Sequence, residues 1–242
     1  MPASHEIDRA EFVPLGGDLR GYFASSAGAG PFPGAVLFQE AFGINEYIQS
    51  EVRRLAKHGY AAIAPDLFRG QTFGYDDFSK VRPAMEALTD EGMLADTRAC
   101  LDYLDAQPNV ARGPRGCVGF CMGGRLAFLC AVSLGDRFAA AASFYGGGIA
   151  PDQPRFFKPL IDRVPDVRSE LLLVYGADDE GITPQEHGRI AEALSREKKR
   201  YTISVYPGAP HGFASDDRPS YRKPQAEAAW VETLALFART LA

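Results

Sequence analysis

The fold of this chain is decided by a ten-residue stretch, RGCVGFCMGG, at positions 115–124 of the 242-residue sequence. Its first part, 115–120, is apolar after Arg115 and has the length of a buried strand. A helical pattern follows over 122–134. Between the two, Cys121 stands in a Gly-x-Cys-x-Gly turn, a pattern that holds a nucleophilic side chain at a sharp strand-to-helix turn. The glycines remove side chains that would collide there, and the helix N-terminus favours a thiolate.

A second interpretation of Cys121 is a small core residue in a glycine-rich turn, since free cysteines are often buried. The strand–turn–helix context favours the nucleophile. The remaining cysteines lack that context and are interpreted as core residues: Cys100, Cys117 and Cys130. The four cysteines have no paired spacing, and the N-terminus shows no apolar signal segment. We therefore expect reduced thiols and a cytoplasmic location.

On both sides of residues 115–124, apolar runs alternate with helical patterns along the sequence. A hairpin is expected at 11–14 and 19–24, buried strands at 35–38, 60–64, 115–120, 138–145, 171–175 and 201–206, and helices at 46–58, 93–104, 122–134, 190–198 and 223–241. This alternation predicts one α/β domain over 1–242, with a mostly parallel central sheet and helices on both faces. In such a sheet the reacting groups are expected beyond the C-terminal ends of the strands.

The composition is that of a globular protein, with 46% hydrophobic and 24% charged residues. A formal net charge of -5 argues against a nucleic-acid or anionic-membrane partner. No apolar run approaches the roughly 18 residues that a membrane helix needs. The expected partner is a small molecule, and the expected state is a monomer or a weak homodimer.

A cysteine nucleophile needs a histidine and an acid, in the chain order nucleophile, acid, histidine. Of the four histidines, His211 follows a predicted strand end after the nucleophile; the others are His5, His58 and His187. An exposed loop histidine is the alternative interpretation of His211. The acid is expected after strand 171–175, where three carboxylates are adjacent and precede a helix that starts near Pro184: Asp178, Asp179 and Glu180. Periodicity does not choose among them.

Six segments resemble the dienelactone hydrolases (carboxymethylenebutenolidases), which are cysteine-dependent members of the α/β-hydrolase superfamily. These segments are QEAFGIN at 39–45, APDLF at 64–68, GFCMGG at 119–124, SFYG at 143–146, YGADD at 175–179 and YPGAPHGF at 206–213. They run in the family's order across nearly the whole chain. The resemblance implies the α/β-hydrolase fold and hydrolysis of an ester or lactone, with no cofactor and no metal.

The resemblance also implies roles for individual residues. Asp179 matches the acid of the family, with Asp178 as the runner-up. Glu40 matches the glutamate that holds the resting thiol and is displaced by substrate; an ordinary strand-end acid paired with a surface base is the alternative. The oxyanion hole is expected at the backbone N–H groups of Ala41 and Met122, each worth about 2.7–4 kcal/mol.

The chain departs from the family in substrate recognition. Gly212 follows His211 where the characterised enzymes have a serine, and Ser215 stands where they have an arginine. An anionic lactone and a neutral ester are therefore both candidate substrates. Five residues are candidates for contacting the substrate: Phe42, Lys80, Arg82, Tyr145 and Arg218.

Two other functions compete with a dienelactone-type hydrolase. A broad carboxylesterase or thioesterase would use the same three side chains. A non-catalytic ligand-binding or redox-sensing protein would share the fold, since a fold does not determine a function. A zinc site at His211 and the neighbouring acids is disfavoured, because no second histidine accompanies them at ligand spacing.

Overall fold

The computed structural model describes residues 4–76, 78–153 and 156–241. Packing divides the chain into two compact units, Met1–Arg115 and Gly116–Ala242. The interpretation of 1–242 as one domain stays a prediction. Within the described ranges, none of the helices combines the length and the apolar character needed to cross a membrane.

The first unit contains four strands in the order β1-β2-β4-β3. Its elements are β1 (Ile7–Gly16), β2 (Leu19–Ser26), β3 (Gly34–Phe38), α1 (Glu46–Lys57), β4 (Ala61–Pro65), α2 (Phe78–Glu86) and α3 (Asp90–Ala106). The predicted hairpin is present as β1 and β2, and β3 runs parallel to β4. Every residue of β3 and β4 is buried, as expected of apolar strands covered on both faces.

The second unit contains the strands in the order β5-β6-β7-β8. Its elements are β5 (Arg115–Phe120), α4 (Met122–Ser133), β6 (Phe138–Phe144), a 3-10 helix (Ile161–Asp166), β7 (Glu170–Gly176), α5 (Pro184–Arg196), β8 (Tyr201–Tyr206) and α6 (Lys223–Thr240). Strands β6, β7 and β8 are parallel. Helix α4 packs on β6, and α6 packs on β6 and β7. The predicted α/β class with mostly parallel strands is confirmed.

One helix begins earlier than the apolar pattern predicts, because a capping side chain extends it. The Thr89 hydroxyl accepts the N–H of Gly92 at 3.0 Å, so α3 begins at Asp90 and not at residue 93. The Thr183 hydroxyl caps α5 in the same way. Helix α2 was not predicted at all, since Pro83 inside it interrupts the helical pattern.

Candidate active site

Cys121 lies at the turn between β5 and α4. Its backbone has φ 54° and ψ -115°, a conformation that costs a non-glycine residue of order 1–3 kcal/mol. The N–H of Cys121 donates to the carbonyl of Phe144 at 2.9 Å, and its own carbonyl accepts the N–H of Arg125 at 3.1 Å. The turn is thus held from both sides, and the side chain is partly exposed. The strained strand-to-helix turn predicted at this position is present.

Gly119 makes this turn possible, because a Cβ at position 119 would collide with the backbone carbonyl of Gly123. We expect Gly119→Ala to lower the free energy of unfolding by about 3 kcal/mol or more, since a backbone atom has no room to yield. Urea denaturation measures this. Gly188 is the matched control: it lies in α5 with open space around it, so Gly188→Ala should stabilise the protein by up to about 1 kcal/mol. A Gly119→Ala variant as stable as the wild type would contradict the close packing.

Three side chains of the second unit form a hydrogen-bonded chain. His211 Nε2 lies 3.2 Å from the Cys121 sulfur, and His211 Nδ1 lies 2.7 Å from Asp179 Oδ2. The other carboxylate oxygen, Oδ1, accepts the N–H groups of Gly181 at 2.8 Å and Ile182 at 3.2 Å. Asp179 is therefore held at both oxygens, and its hydrogen bond fixes the orientation of the imidazole.

The charges of these three hydrogen-bonded side chains favour a proton on His211. Burial lowers the pKa of His211, but a negative charge on the Cys121 sulfur and the hydrogen bond to Asp179 outweigh burial and raise the pKa to about 10. Burial raises the pKa of Asp179, but His211 and the two backbone N–H groups outweigh it, so the pKa lies below its usual value. Asp179 is consequently a carboxylate at neutral pH.

Burial distinguishes the three adjacent carboxylates of the acid segment. Asp179 is 5% exposed, whereas Asp178 and Glu180 are exposed. The structure brings Asp179 to the histidine, and spacing alone had left the choice open. The backbone N–H of Asp178 donates to the carbonyl of Ala209 at 3.1 Å, which joins the acid segment to the loop that carries His211.

Three of the predicted site residues lie just after β3, in the first unit. Glu40, Ala41 and Phe42 are all buried, and the Phe42 ring packs edge-to-face on Tyr75 with centroids 4.5 Å apart. The neighbouring Gln39 accepts the N–H of Leu67 through its side-chain oxygen at 3.2 Å. The roles of Glu40, Ala41 and Phe42 stay predictions.

The remaining candidates for substrate contact differ in their surroundings. Lys80 and Arg82 lie on the exposed surface of α2, where Arg82 pairs with Glu86 at 2.7 Å. Tyr145 is fully buried at φ 38°, and its ring packs edge-on against His211 with centroids 5.1 Å apart. Arg218 lies in the His211 loop, and its guanidinium covers Gly212. Arg218 thus lies beside Gly212, the residue that follows His211.

Two further side chains lie in the segment around Asp179, and neither was predicted as a site residue. His187 of α5 is buried and stacks on the ring of Tyr175. Over the ranges that the structure describes, no group of three or more His, Cys, Asp or Glu side chains is arranged to hold a metal ion.

Comparison with known proteins identifies the family of this chain. The model described as "Dienelactone hydrolase family" matches residues 19–241. The chain belongs to the dienelactone hydrolase family. A relative from Synechocystis sp., named "Putative carboxymethylenebutenolidase", is 33% identical over 225 residues, which cover 90% of this chain and 91% of the relative.

Solved structures agree with this family assignment. A crystal structure titled "Putative Dienelactone Hydrolase" from Klebsiella pneumoniae is similar with a TM-score of 0.88 and 30% identity, covering 97% of this chain and 99% of that one. An "alpha/beta hydrolase enzyme" from a deep-sea metagenome library is similar with a TM-score of 0.72 and 14% identity, covering 98% of each chain. The latter shows the fold alone. The predicted α/β-hydrolase fold is confirmed.

Proposed function

We propose that this member of the dienelactone hydrolase family cleaves an ester or lactone bond through a covalent acyl-thioester on Cys121. The observation that carries the proposal is the continuous contact from Asp179 through His211 to the Cys121 sulfur, with distances of 2.7 Å and 3.2 Å. The carboxymethylenebutenolidase names of the relatives support a dienelactone as substrate. The protein would act in the cytoplasm on a small molecule, as a monomer or weak homodimer.

The first half of the reaction forms the acyl-enzyme. His211 Nε2 takes the proton of the Cys121 thiol, and the sulfur attacks the substrate carbonyl carbon. The carbonyl π electrons move to oxygen, which becomes an oxyanion. When that oxyanion collapses, the carbon–oxygen bond to the leaving group breaks. The leaving oxygen takes the proton from His211, and a thioester is left on Cys121.

The second half restores the enzyme. His211 removes a proton from water, the resulting hydroxide attacks the thioester carbonyl, and the carbon–sulfur bond breaks. The proton on His211 returns to the Cys121 sulfur, and the carboxylic acid product leaves. Asp179 stabilises the imidazolium in both halves and keeps the ring in the tautomer that has Nε2 free. These steps need neither a cofactor nor a metal ion.

The backbone N–H of Met122 is proposed as an oxyanion donor. It is the first residue of α4, so its N–H has no intrahelical partner, and the helix N-terminus carries partial positive charge. The second donor implied by the family resemblance, the N–H of Ala41, belongs to the first unit and stays a prediction. The gating role of Glu40 stays a prediction as well.

Arg218 is proposed to bind a carboxylate on the substrate. A Cβ at position 212 would collide with the Arg218 guanidinium, and Gly212 also has φ +76°, which disfavours any side chain. Because Gly212 has no side chain, the Arg218 guanidinium can lie beside the residue that follows His211. Guanidinium groups bind carboxylates through paired hydrogen bonds, so this position suits an anionic lactone.

The substrate class is tested by steady-state hydrolysis of a dienelactone and of p-nitrophenyl acetate by the wild type and Arg218→Gln. We expect the wild type to hydrolyse both and to prefer the anionic lactone. Arg218→Gln should lower kcat/KM for the lactone about 10- to 100-fold, mostly through KM, because one charged hydrogen-bonding group is lost. Hydrolysis of the neutral ester should stay within about twofold.

Arg196→Gln is the matched control, since Arg196 is an exposed arginine at the end of α5 with a partner in Glu197 at 3.7 Å. It removes the same charge and should leave both rates unchanged. Equal losses on the two substrates in Arg218→Gln would contradict substrate binding by Arg218. Hydrolysis of the simple ester alone would favour a broad esterase. Covalent labelling without turnover of either substrate would favour a sensing or binding protein.

A further inference from the structure

Tyr145 lies directly after β6 in a backbone conformation that few tyrosines adopt. Its φ is +38°, in the left-handed region that favours glycine, and its side chain is fully buried. Glycine takes such a conformation without strain, and the sequence places glycines immediately after this position, at 146–148. Strained residues persist where the surrounding structure holds them, and they cluster at active sites. The contacts of Tyr145 therefore decide whether its ring does more than fill the core.

The peptide group between Phe144 and Tyr145 joins the nucleophile turn to a neighbouring strand. Its carbonyl oxygen, on Phe144, accepts the N–H of Cys121 at 2.9 Å. Its N–H, on Tyr145, donates to the carbonyl of Val174 in β7 at 2.7 Å. Because both polar groups of this buried peptide are hydrogen-bonded, Tyr145 has a fixed position relative to Cys121.

The ring of Tyr145 packs directly on the imidazole of His211. The two ring centroids are 5.1 Å apart with an interplanar angle of 62°, an edge-to-face arrangement. The same tyrosine ring contacts Phe213 in the same manner, with centroids 5.5 Å apart. His211 and Phe213 belong to the loop after β8, so one ring at the end of β6 contacts that loop at two positions. Aromatic pairs of this kind have a preferred mutual orientation as well as a contact area.

His211 needs an orienting contact besides its two hydrogen-bonding contacts. Its Nδ1 lies 2.7 Å from Asp179, and its Nε2 lies 3.2 Å from the Cys121 sulfur. A rotation about the line through the two nitrogens keeps both distances but turns the lone pair of Nε2 away from the thiol proton. A ring packed against the imidazole opposes this rotation.

We propose that Tyr145 is a positioning residue, whose ring, fixed relative to Cys121 through the backbone, holds the imidazole of His211 in the plane from which Nε2 accepts the thiol proton. This inference rests on the proposed function, since the orientation matters only for a reaction through Cys121 and His211. It gives Tyr145 a role other than contact with the substrate. A misplacement of about 1 Å in a reacting group lowers a rate about 100-fold.

The experiment replaces Tyr145 with leucine, which keeps an apolar side chain and removes the ring. We expect kcat on p-nitrophenyl acetate to fall about 10- to 100-fold with KM within about twofold, because proton transfer is impaired and substrate binding is not. The low-field proton NMR signal of the His211 Nδ1–H, read without substrate, reports the hydrogen bond to Asp179 and should shift. Tyr145→Phe keeps the ring, so kcat should stay within about threefold and the signal should not move.

Phe138→Leu is the matched control. Phe138 is 1% exposed and is the first residue of β6, so the variant removes a buried ring at the opposite end of the strand from Tyr145. Both leucine variants should lower the melting temperature, but only Tyr145→Leu should change kcat and the proton signal. Tyr145→Met is a second ring-free variant in case leucine prevents folding, because the flexible methionine side chain fills irregular buried space.

Wild-type kcat together with an unmoved proton signal in a folded ring-free variant would overturn the proposal. A raised KM with kcat and the signal unchanged would overturn it too, since that result belongs to a substrate contact. Equal changes in kcat and signal in Tyr145→Leu and Phe138→Leu would assign the effect to core packing, and equal changes in Tyr145→Leu and Tyr145→Phe would assign it to the hydroxyl; either result contradicts the proposal. If the wild type hydrolyses neither the lactone nor the ester, the proposed function fails, and the proton signal still decides whether Tyr145 orients His211.

Discussion

Replacing Cys121 with alanine is expected to lower kcat/KM for both test esters by on the order of 10⁴-fold or more. The reason is that the acyl group is carried on the sulfur, and His211, 3.2 Å away, then has no thiol to deprotonate. Steady-state kinetics measures the loss. Mass spectrometry of wild-type enzyme quenched during turnover should show the added acyl mass on the peptide that contains Cys121.

Cys130 provides the matched control for the loss of a thiol. It is fully buried within α4, away from the strand-to-helix turn. Cys130→Ala should therefore keep kcat/KM within about twofold, with at most a modest loss of stability from the small cavity. Near-normal activity in Cys121→Ala, or an acyl group found on a different residue, would contradict the acyl-thioester mechanism.

The strand, turn and helix around Cys121 could be predicted almost to the residue. Strand β5 spans Arg115–Phe120 as expected, and α4 begins at Met122. This success has a local cause, because a short apolar run, two glycines and a helical pattern are each visible within a window of about ten residues. The backbone strain at Cys121 also follows from that local pattern.

The start of α3 was predicted less well, because its apolar pattern was read without the capping residue Thr89. The start of α5 near Pro184 was predicted, since a proline in the first turn is a helix-start signal. Helix α2 carries only two buried side chains, Val81 and Met85, so little apolar periodicity marks it.

The candidate site was predictable in its residue types and less so in its geometry. The order of nucleophile, acid and histidine identified Cys121 and His211. The choice of Asp179 came from resemblance, because adjacent carboxylates have the same local signal. Burial separates them only once the loops after β7 and β8 meet. The contact of Arg218 with Gly212 was not predictable from local sequence either, because it depends on how one loop folds back on itself.

The matched pair Asp179→Asn and Asp178→Asn tests the acid directly. In Asp179→Asn the amide oxygen should occupy the Oδ1 place, because the N–H groups of Gly181 and Ile182 point there. The amide NH₂ would then face His211 Nδ1 across the present 2.7 Å contact. An NH₂ group can only donate, so Nδ1 becomes the acceptor and the imidazole proton moves to Nε2.

A proton on Nε2 points at the Cys121 sulfur and prevents the ring from accepting the thiol proton. We therefore expect Asp179→Asn to lower kcat about 10³- to 10⁴-fold, the size of effect that the wrong tautomer causes in related triads. Asp178→Asn should stay within about twofold, because the exposed Asp178 carboxylate makes no contact with His211 that would set its tautomer. Steady-state kinetics on p-nitrophenyl acetate, with circular dichroism to verify folding, measures both. A larger loss in Asp178→Asn would assign the acid to Asp178, and equal small losses would show that the buried carboxylate does not set the state of His211.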